Sequence, residues 1–424
     1  MKRIIVVGGS LAGHQAARWL RVLGFDGELT VIGAEVHRPY DRYPLSKAYL
    51  AGDLDRSGLE IEPHDLDVRW RLGQAATGLN LAGRYVTIDE ADRAHFDGLV
   101  VATGSRPRVP FSVSNEVAGV FALRTVEDAT ALKDALSGTR SRLVVVGGGL
   151  IGAEVASMAT AAGHPATLVD SARLPTSRAL GVHVAEHLRT LHVANGVRLL
   201  SGTRVKALDV HAGQVGGVHL HTGLRLNADI VVLATGTQPN VEWLHGSGLD
   251  LSNGLSCRAT LHANGSDVVV GVGDVVHAPH PALEGESVRV EHWASARHQA
   301  SVAAANLLVG PARGCPQSEL PTFGTTIHGA AIRVLGFPSH ADECEVVWGS
   351  IQDGEGVVVM RRRGRLVAAV AVNATDKLPL LDDRWARAGG SALADGPAAV
   401  DGADQRGPRR GGRPPDGSRR ACLR

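Results

Sequence analysis

Arg142-Leu143-Val144-Val145-Val146-Gly147-Gly148-Gly149-Leu150-Ile151-Gly152 sets four consecutive apolar side chains directly against a glycine-rich turn. A short run that is apolar on both faces suits a strand buried inside a parallel sheet. The segment from Ala153 to Ala162 then predicts a helix ended by Gly163, and Thr167-Leu168-Val169 a second strand with Asp170 at its tip. The same unit opens the chain. Ile4 to Val7 is apolar, Gly8-Gly9-Ser10-Leu11-Ala12-Gly13 follows, and Ala16, Ala17, Leu20 and Leu23 recur at helical spacing before Gly24. Leu29 to Ile32 is its second strand, with Glu35 just beyond. A further echo lies downstream, in LVVATGSRPRVP at 99–110 and IVVLATGTQPN at 230–240. Each is an apolar strand, then Ala-Thr-Gly, then a proline-containing exit. The sequence therefore predicts two similar α/β domains, each opening with strand–helix–strand and closing on an Ala-Thr-Gly turn.

The chain has 424 residues, room for about three domains at roughly 150 residues each. Forty-four Lys and Arg against 43 Asp and Glu leave a net charge of +1, which gives no support for nucleic acid or an anionic membrane as main partner. No run approaches a membrane span, and MKRIIVVGGS reads as a strand and turn rather than a signal peptide, so a cytoplasmic protein is expected. The four cysteines (257, 315, 344 and 422) form no CxxC, against a disulfide framework, a thiolate zinc site or an iron–sulfur cluster of the chain's own. VVVGVGDVV (268–276) reads as a further strand ending in Gly-Asp, and 289–310 as a helix starting near Trp293. From about Cys315 short strands take over, including a hairpin around Arg361-Arg362-Arg363-Gly364-Arg365. The last 20 residues hold seven Arg and one acid among Pro and Gly, the composition of a disordered tail.

Both turns suit a dinucleotide. Backbone amides and a helix N-terminus point dipoles at a pyrophosphate, and small residues allow close approach. In the first, Gly8, Ser10, Ala12 and Gly13 form the turn, with Ser10 where the fingerprint's middle glycine stands, and the Glu35 carboxylate is placed for ribose hydroxyls. In the second, Gly147, Gly149 and Gly152 match the full pattern, with Ile151 inside it. Asp170 would bond a 2′-hydroxyl and repel a 2′-phosphate, favouring NADH over NADPH; Arg173 is the counter-indication. Thr103 and Gly104 in the first Ala-Thr-Gly turn, and Gly236 in the second, are further candidate cofactor contacts. Two dinucleotide sites in one chain suggest hydride transfer from a nicotinamide to a flavin, with FAD on the first unit and NAD on the second.

HRPYDRYPLSKAYLAG (37–52), FALRTVEDATALKDAL (121–136), GVGDVV (271–276) and VRVEHW (288–293) resemble the FAD-dependent ferredoxin reductases of the putidaredoxin-reductase type, which serve cytochromes P450 and ring-hydroxylating dioxygenases. The resemblance runs from residue 1 to about 310 and weakly to about 373, and it extends to the apoptosis-inducing-factor-like flavoproteins. It implies that Ala12 and Glu35 hold the FAD pyrophosphate and ribose, that Arg42 faces the phosphates, and that Ala76 flanks the adenine. It further implies that Arg124 contacts FAD, that Asp274 binds ribitol, and that Trp293 sits by the pyrimidine edge of the flavin. Lys47 would lie near flavin N5, with Glu154 approaching it where the nicotinamide docks; a cation there stabilises charge on the reduced ring. His37, His292 and His328 read as packing or hydrogen-bonding residues, and no histidine pair has metal spacing.

Disulfide-reducing relatives need cysteine on the helix after the first flavin segment, yet no cysteine precedes residue 257. Electrons must then leave the flavin directly, which suits a one-electron carrier such as a [2Fe–2S] ferredoxin. Where family members carry Phe-Trp-Ser-Asp-Gln beside the flavin, this chain has Phe323-Gly324-Thr325-Thr326-Ile327, so the walling aromatic ring and acid are expected to be missing. That departure keeps open an apoptosis-inducing-factor-like NADH-responsive protein with weak electron transfer; a rubredoxin reductase is the other alternative. The expected architecture is of the glutathione-reductase type: two Rossmann-like domains plus a small C-terminal α+β domain. Its parts are a discontinuous FAD domain at 1–110 and 240–318, an NAD domain at 111–239, the C-terminal domain at 319–386, and a tail at 387–424. The basic hairpin turn and the tail could steer an acidic ferredoxin, although a solvated surface is the preferred reading. The oligomeric state is left open.

Overall fold

A computed structural model describes residues 1–61, 66–89, 92–110 and 117–381. The tail expected at 387–424, and the end of the segment expected to close at 386, lie outside the described residues.

The apolar runs become the centres of two five-stranded parallel sheets laid out alike, except that the edge strand beside the Ala-Thr-Gly strand comes last in the chain in the first sheet and first in the second. In the first, Arg3–Val7 is flanked by Glu28–Gly33 and Gly98–Val101, with Arg69–Leu72 and Val269–Gly271 at the edges. In the second, Leu143–Val146 is flanked by Ala166–Asp170 and Ile230–Leu233, with Arg198–Ser201 and Val120–Ala122 outside. Val6, Val100, Val145 and Val232 have no exposed surface, as expected for strands covered on both faces. Each half also carries a three-stranded antiparallel meander, at 76–95 and 205–227. The proline-containing exits meet each other: Ser105–Pro107 pairs antiparallel with Thr237–Pro239 and links the two halves.

The two cradle helices begin earlier than the apolar periodicity indicates. They span Leu11–Val22 and Leu150–Ala161, so the second starts three residues before Ala153. The third fingerprint glycine therefore lies inside the first helical turn, and packing explains why. A Cβ on Gly13 would sit 1.9 Å from the Gly8 carbonyl oxygen, and one on Gly152 would sit 1.9 Å from that of Gly147. The stretch 268–276 is not one strand. It breaks after Gly271 into a 3₁₀ turn at Gly273–Val275, where Gly273 has φ +80°, before Val276–Pro279 resumes.

The C-terminal unit is a five-stranded antiparallel sheet in the order Thr322–Ile327, Ala330–Gly336, Arg365–Val372, Glu355–Arg362, Glu343–Ser350. Its basic hairpin turns on Arg363 and Gly364, both at positive φ, the geometry that matches strand twist in two-residue turns. The arginines there have partners on the same molecule: Arg362 pairs with Glu286 at 2.6 Å and Arg365 with Glu284 at 2.9 Å. This agrees with the solvated-surface reading of the turn and reduces the charge available to steer a partner.

Helix Val126–Leu136 follows the motif Leu123-Arg124-Thr125 and starts on a reciprocal cap. Thr125 Oγ1 accepts from the Asp128 amide at 3.2 Å, and the Asp128 carboxylate accepts from the Thr125 amide at 2.8 Å. Thr125→Ala is expected to cost about 1 kcal/mol of stability, read as a lower urea midpoint; an unchanged midpoint would show the cap to be dispensable.

Candidate functional site

The carboxyl edge of the first sheet opens on a cavity of about 330 Å³ lined by Gly8, Ser10, Glu35, Arg42, Ala76, Thr103 and Trp243, among others. Its floor is the first glycine turn. Gly8 has φ +121°, and a Cβ there would lie 2.1 Å from the Ala102 carbonyl oxygen, so the turn is pressed against the Ala-Thr-Gly strand. Gly147 repeats this with φ +106° and 2.2 Å to the Ala234 oxygen. The middle position behaves differently. Ser10 and Gly149 both have extended backbones, with φ −99° and −71°, that any residue adopts. Ser10 thus departs from the pattern without strain. Its hydroxyl leaves the helix end uncapped and accepts from Arg42 Nε at 3.1 Å. In front of Gly149 a Cβ would meet nothing within 4 Å, which leaves room for a ligand. Ile151, two residues on, is 41% exposed.

A polar chain runs along the first cradle. Glu35 pairs with Arg42 and accepts from the Tyr40 hydroxyl at 2.6 Å. Burial, reinforced by the Glu35 carboxylate, pushes the Tyr40 hydroxyl well above the usual phenol range, so it stays a donor. Arg42 also donates to the Arg124 carbonyl at 2.9 Å, and the Arg124 side chain reaches Asp274 at 2.8 Å. Ser105 donates to the same Asp274 oxygen at 3.1 Å. Gly273, next to Asp274, packs on the cradle helix, where a Cβ would be 3.0 Å from that of Ala12; its amide donates to the buried Gln299 at 2.8 Å. Thr103 and Asn240 exchange two hydrogen bonds, at 2.7 and 2.9 Å. Gly104 has φ +64°, and the Arg124 guanidinium lies 3.3 Å from its Cβ position.

In the second cradle Asp170 accepts from the amides of Gly148 and Ala172, the latter at 2.5 Å, which holds its carboxylate at the rim of the turn. Gly236, at φ +92°, would meet nothing within 4 Å with a Cβ.

Between the cradles Lys47 Nζ lies 2.9 Å from Glu154 Oε1, whose side chain is 5% exposed. The sequence reading placed these two together; it did not anticipate what holds the carboxylate. Ser46 donates to one Glu154 oxygen and Thr325 to the other, and the Tyr43 ring lies 4.1 Å below the Lys47 ammonium. Segments from all three parts of the chain therefore converge on one buried carboxylate. Donors from several sides are what such a charge requires. Ser46 and Tyr43 fall inside the quoted 37–52 segment, whereas Thr325 is recognisable only once the C-terminal sheet is folded back.

Trp293 opens helix Trp293–Val309, 40% exposed, with the Arg297 guanidinium 4.6 Å from its ring centroid; it is not a core aromatic. Phe323, the aromatic that this segment shares with the family pattern, stacks on His292 with centroids 4.2 Å apart. Burial pushes His292 down to about 4, so it is neutral at ordinary pH. Gly324, at the family's tryptophan position, has the Arg333 guanidinium 3.5 Å from its Cβ position. His37 bonds Glu127 and Arg56, and His328 bonds His192 at 2.8 Å. No group of three metal-ligating side chains occurs among the described residues.

Two glycine turns opening helices on two parallel sheets, with an ion pair between them, define a two-dinucleotide oxidoreductase fold. The chain belongs to the pyridine nucleotide-disulphide oxidoreductase family, which residues 2–300 match. It is 32% identical over 377 residues to a probable ferredoxin reductase of Castellaniella defragrans, covering 88% of this chain and 91% of that one. It is 33% identical to the biphenyl dioxygenase system ferredoxin–NAD(+) reductase component of Paraburkholderia xenovorans, covering 88% and 90%. The reductase in the covalent putidaredoxin reductase–putidaredoxin complex superposes with TM-score 0.83 at 30% identity, over 89% of this chain and 91% of that one. No helix among the described residues is long and apolar enough to cross a membrane.

Proposed function

We propose that this protein is a cytoplasmic ferredoxin–NAD(+) reductase in which the first cradle holds FAD, the second binds NADH, and a [2Fe–2S] ferredoxin is the acceptor. The observation that carries this reading is the Lys47–Glu154 pair, its carboxylate buried, set between two dinucleotide cradles with no cysteine among its partners in the described residues. Cys257 lies in the core, where burial pushes its thiol up to about 12. Relatives named as ferredoxin–NAD(+) reductase components and the putidaredoxin reductase match support the acceptor class. The FAD part would comprise 1–110 and 240–318, the NAD part 111–239.

The first cradle would hold FAD, whose chemistry couples a two-electron hydride donor to a one-electron acceptor. The chain's own residues position and stabilise. The turn amides and helix ends bind the two pyrophosphates, and Glu35 and Asp170 accept from the two riboses. Lys47 holds a positive charge where negative charge develops, and Glu154 keeps that ammonium fixed and compensated. Ser46 and Thr325 orient Glu154. No side-chain acid or base is needed for a hydride step; orientation does the work.

Thr325→Val removes one donor from the buried carboxylate. It is expected to slow NADH-dependent flavin reduction about tenfold, from roughly 1.4 kcal/mol of lost hydrogen bonding, with little change in the NADH concentration for half-saturation. Stopped-flow reduction checks this, and an unchanged rate would take Thr325 out of the site. The function itself is tested by anaerobic turnover with NADH and a [2Fe–2S] ferredoxin, followed at the ferredoxin's visible bands. Multiple turnovers, slower with NADPH, are expected; flavin reduction without ferredoxin reduction would reject the acceptor assignment.

A further inference from the structure

The second glycine turn is held by a strap that the first lacks. Past Asp170 the chain returns to the turn at Pro175 and Thr176, both buried, and the Thr176 amide donates to the Gly148 carbonyl oxygen at 3.1 Å. A Cβ on Gly148 would lie 2.7 Å from the Pro175 ring. The contact requires an unusual backbone. Thr176 has φ +64° and ψ −11°, in the left-handed region, and it is the only β-branched residue at positive φ among the described residues. That conformation is costly for most L-residues, and more so for a branched one, so it persists only where the surroundings impose it. Here the surroundings are identifiable. Besides the amide contact, Thr176 Oγ1 donates to the Pro175 carbonyl at 2.6 Å, and the Thr176 carbonyl accepts from Ala179 and Leu180 at 2.9 and 3.0 Å.

The strap acts on the peptide that joins Gly148 to Gly149. A trans peptide is planar, with its carbonyl and its amide pointing in opposite directions. Fixing the Gly148 carbonyl toward Thr176 therefore aims the Gly149 amide the other way. That amide donates to no acceptor among the described residues, Gly149 is exposed, and a Cβ there would meet nothing within 4 Å. The Gly148 amide is itself held by Asp170, so the turn is tied on both sides of one residue. In the first turn no amide among the described residues donates to the oxygen of Gly9, the equivalent residue. A cofactor that stays bound orders its turn once. A nucleotide that enters and leaves at every turnover meets an empty turn each time, and a preformed turn spares it the cost of ordering. We infer that Thr176 is a positioning residue for NADH: its strained backbone fixes the Gly148 carbonyl and thereby aims the Gly149 amide at the pyrophosphate. The inference rests on the proposed assignment of NADH to the second cradle.

The test sets Thr176→Pro against Thr176→Gly in the FAD-loaded protein. Proline has no amide hydrogen and cannot adopt positive φ, whereas glycine keeps the amide and takes the left-handed backbone freely. Calorimetric titration measures the binding of NAD+ and ADP-ribose, and stopped-flow reduction measures the rate with NADH. Thr176→Pro is expected to bind both nucleotides about tenfold more weakly, the scale of one charge-assisted hydrogen bond. Its NADH half-saturation should rise by the same factor, with the reduction rate at saturating NADH unchanged. Thr176→Gly should bind both nucleotides as the parent does. Parental binding in Thr176→Pro would overturn the inference, and so would an equal loss in Thr176→Gly, which would place the effect in the side chain. If Thr176→Pro does not fold, Pro175→Gly loosens the same strap by removing the ring packed on Gly148. Several-fold weaker binding of NAD+ is then expected, and parental binding would overturn the inference. A parent protein that bound neither NAD+ nor ADP-ribose would refute the assignment of NADH to the second cradle itself, a result distinct from the others.

Discussion

Gly13→Ala is expected to yield a protein without FAD, whereas Gly152→Ala is expected to yield a yellow protein that NADH no longer reduces at ordinary concentrations. The two substitutions add the same methyl group at equivalent places, 1.9 Å from a turn carbonyl oxygen. No side-chain rotation relieves a contact with backbone, so the helix end must move away from the turn. The amides that would hold a pyrophosphate move with it, and phosphate binding at a helix N-terminus depends on their aim. A shift that removes two charge-assisted hydrogen bonds, at about 1.5–3 kcal/mol each, weakens binding by roughly 10²-fold or more. The divergence of the two outcomes matters most. Each substitution disturbs one sheet, so FAD content reads the first cradle and NADH half-saturation reads the second. Loss of FAD from Gly152→Ala together with retention in Gly13→Ala would reverse the assignment of the cradles. Circular dichroism distinguishes cofactor loss from collapse of the domain.

Lys47→Met is expected to slow flavin reduction by NADH about 10²- to 10³-fold, the scale found when a preorganised donor at a developing charge is removed. Two effects contribute. The cation proposed to stabilise the reduced ring is gone, and Glu154 is left as a buried carboxylate whose charged partner is missing. Breaking a buried pair by removing one member is strongly destabilising, by roughly 3–5 kcal/mol, although Ser46 and Thr325 still donate to Glu154 here. The double variant Lys47→Met/Glu154→Gln separates the effects. It contains no unpaired charge, so its thermal stability should return toward that of the parent while its reduction rate stays low. If the double variant recovered the rate, Lys47 would be acting only through stability.

The paired glycine turns were legible because so few residues suit them: Gly8, Gly13, Gly147 and Gly152 all face backbone that a side chain would strike. The strand cores were legible because burial on both faces demands unbroken apolar runs. The helix starts were not, since Leu11 and Leu150 precede the region where periodicity can be counted, and the fingerprint glycine inside each first turn disguises it. Both antiparallel meanders escaped notice. Their strands are half-exposed and mixed in character, as at Ala76–Asn80, so no clean alternation marks them. At the site, Lys47 and Glu154 were visible through local motifs, but Thr325 reaches it from an element distant in sequence. Nothing at 323–327 announces that a threonine hydroxyl will meet a carboxylate 171 residues earlier. The departure at Gly324 is legible in the sequence, whereas only the fold shows Phe323 stacked on His292.

The central claim is that a nicotinamide is brought against a flavin across the Lys47–Glu154 pair. Its most direct test is an anaerobic titration of the purified protein with NADH, recording the visible absorbance. The account predicts a flavin spectrum that bleaches at about one NADH per bound FAD, since a hydride carries two electrons. A flavin spectrum that persists in excess NADH and excess NADPH would contradict it.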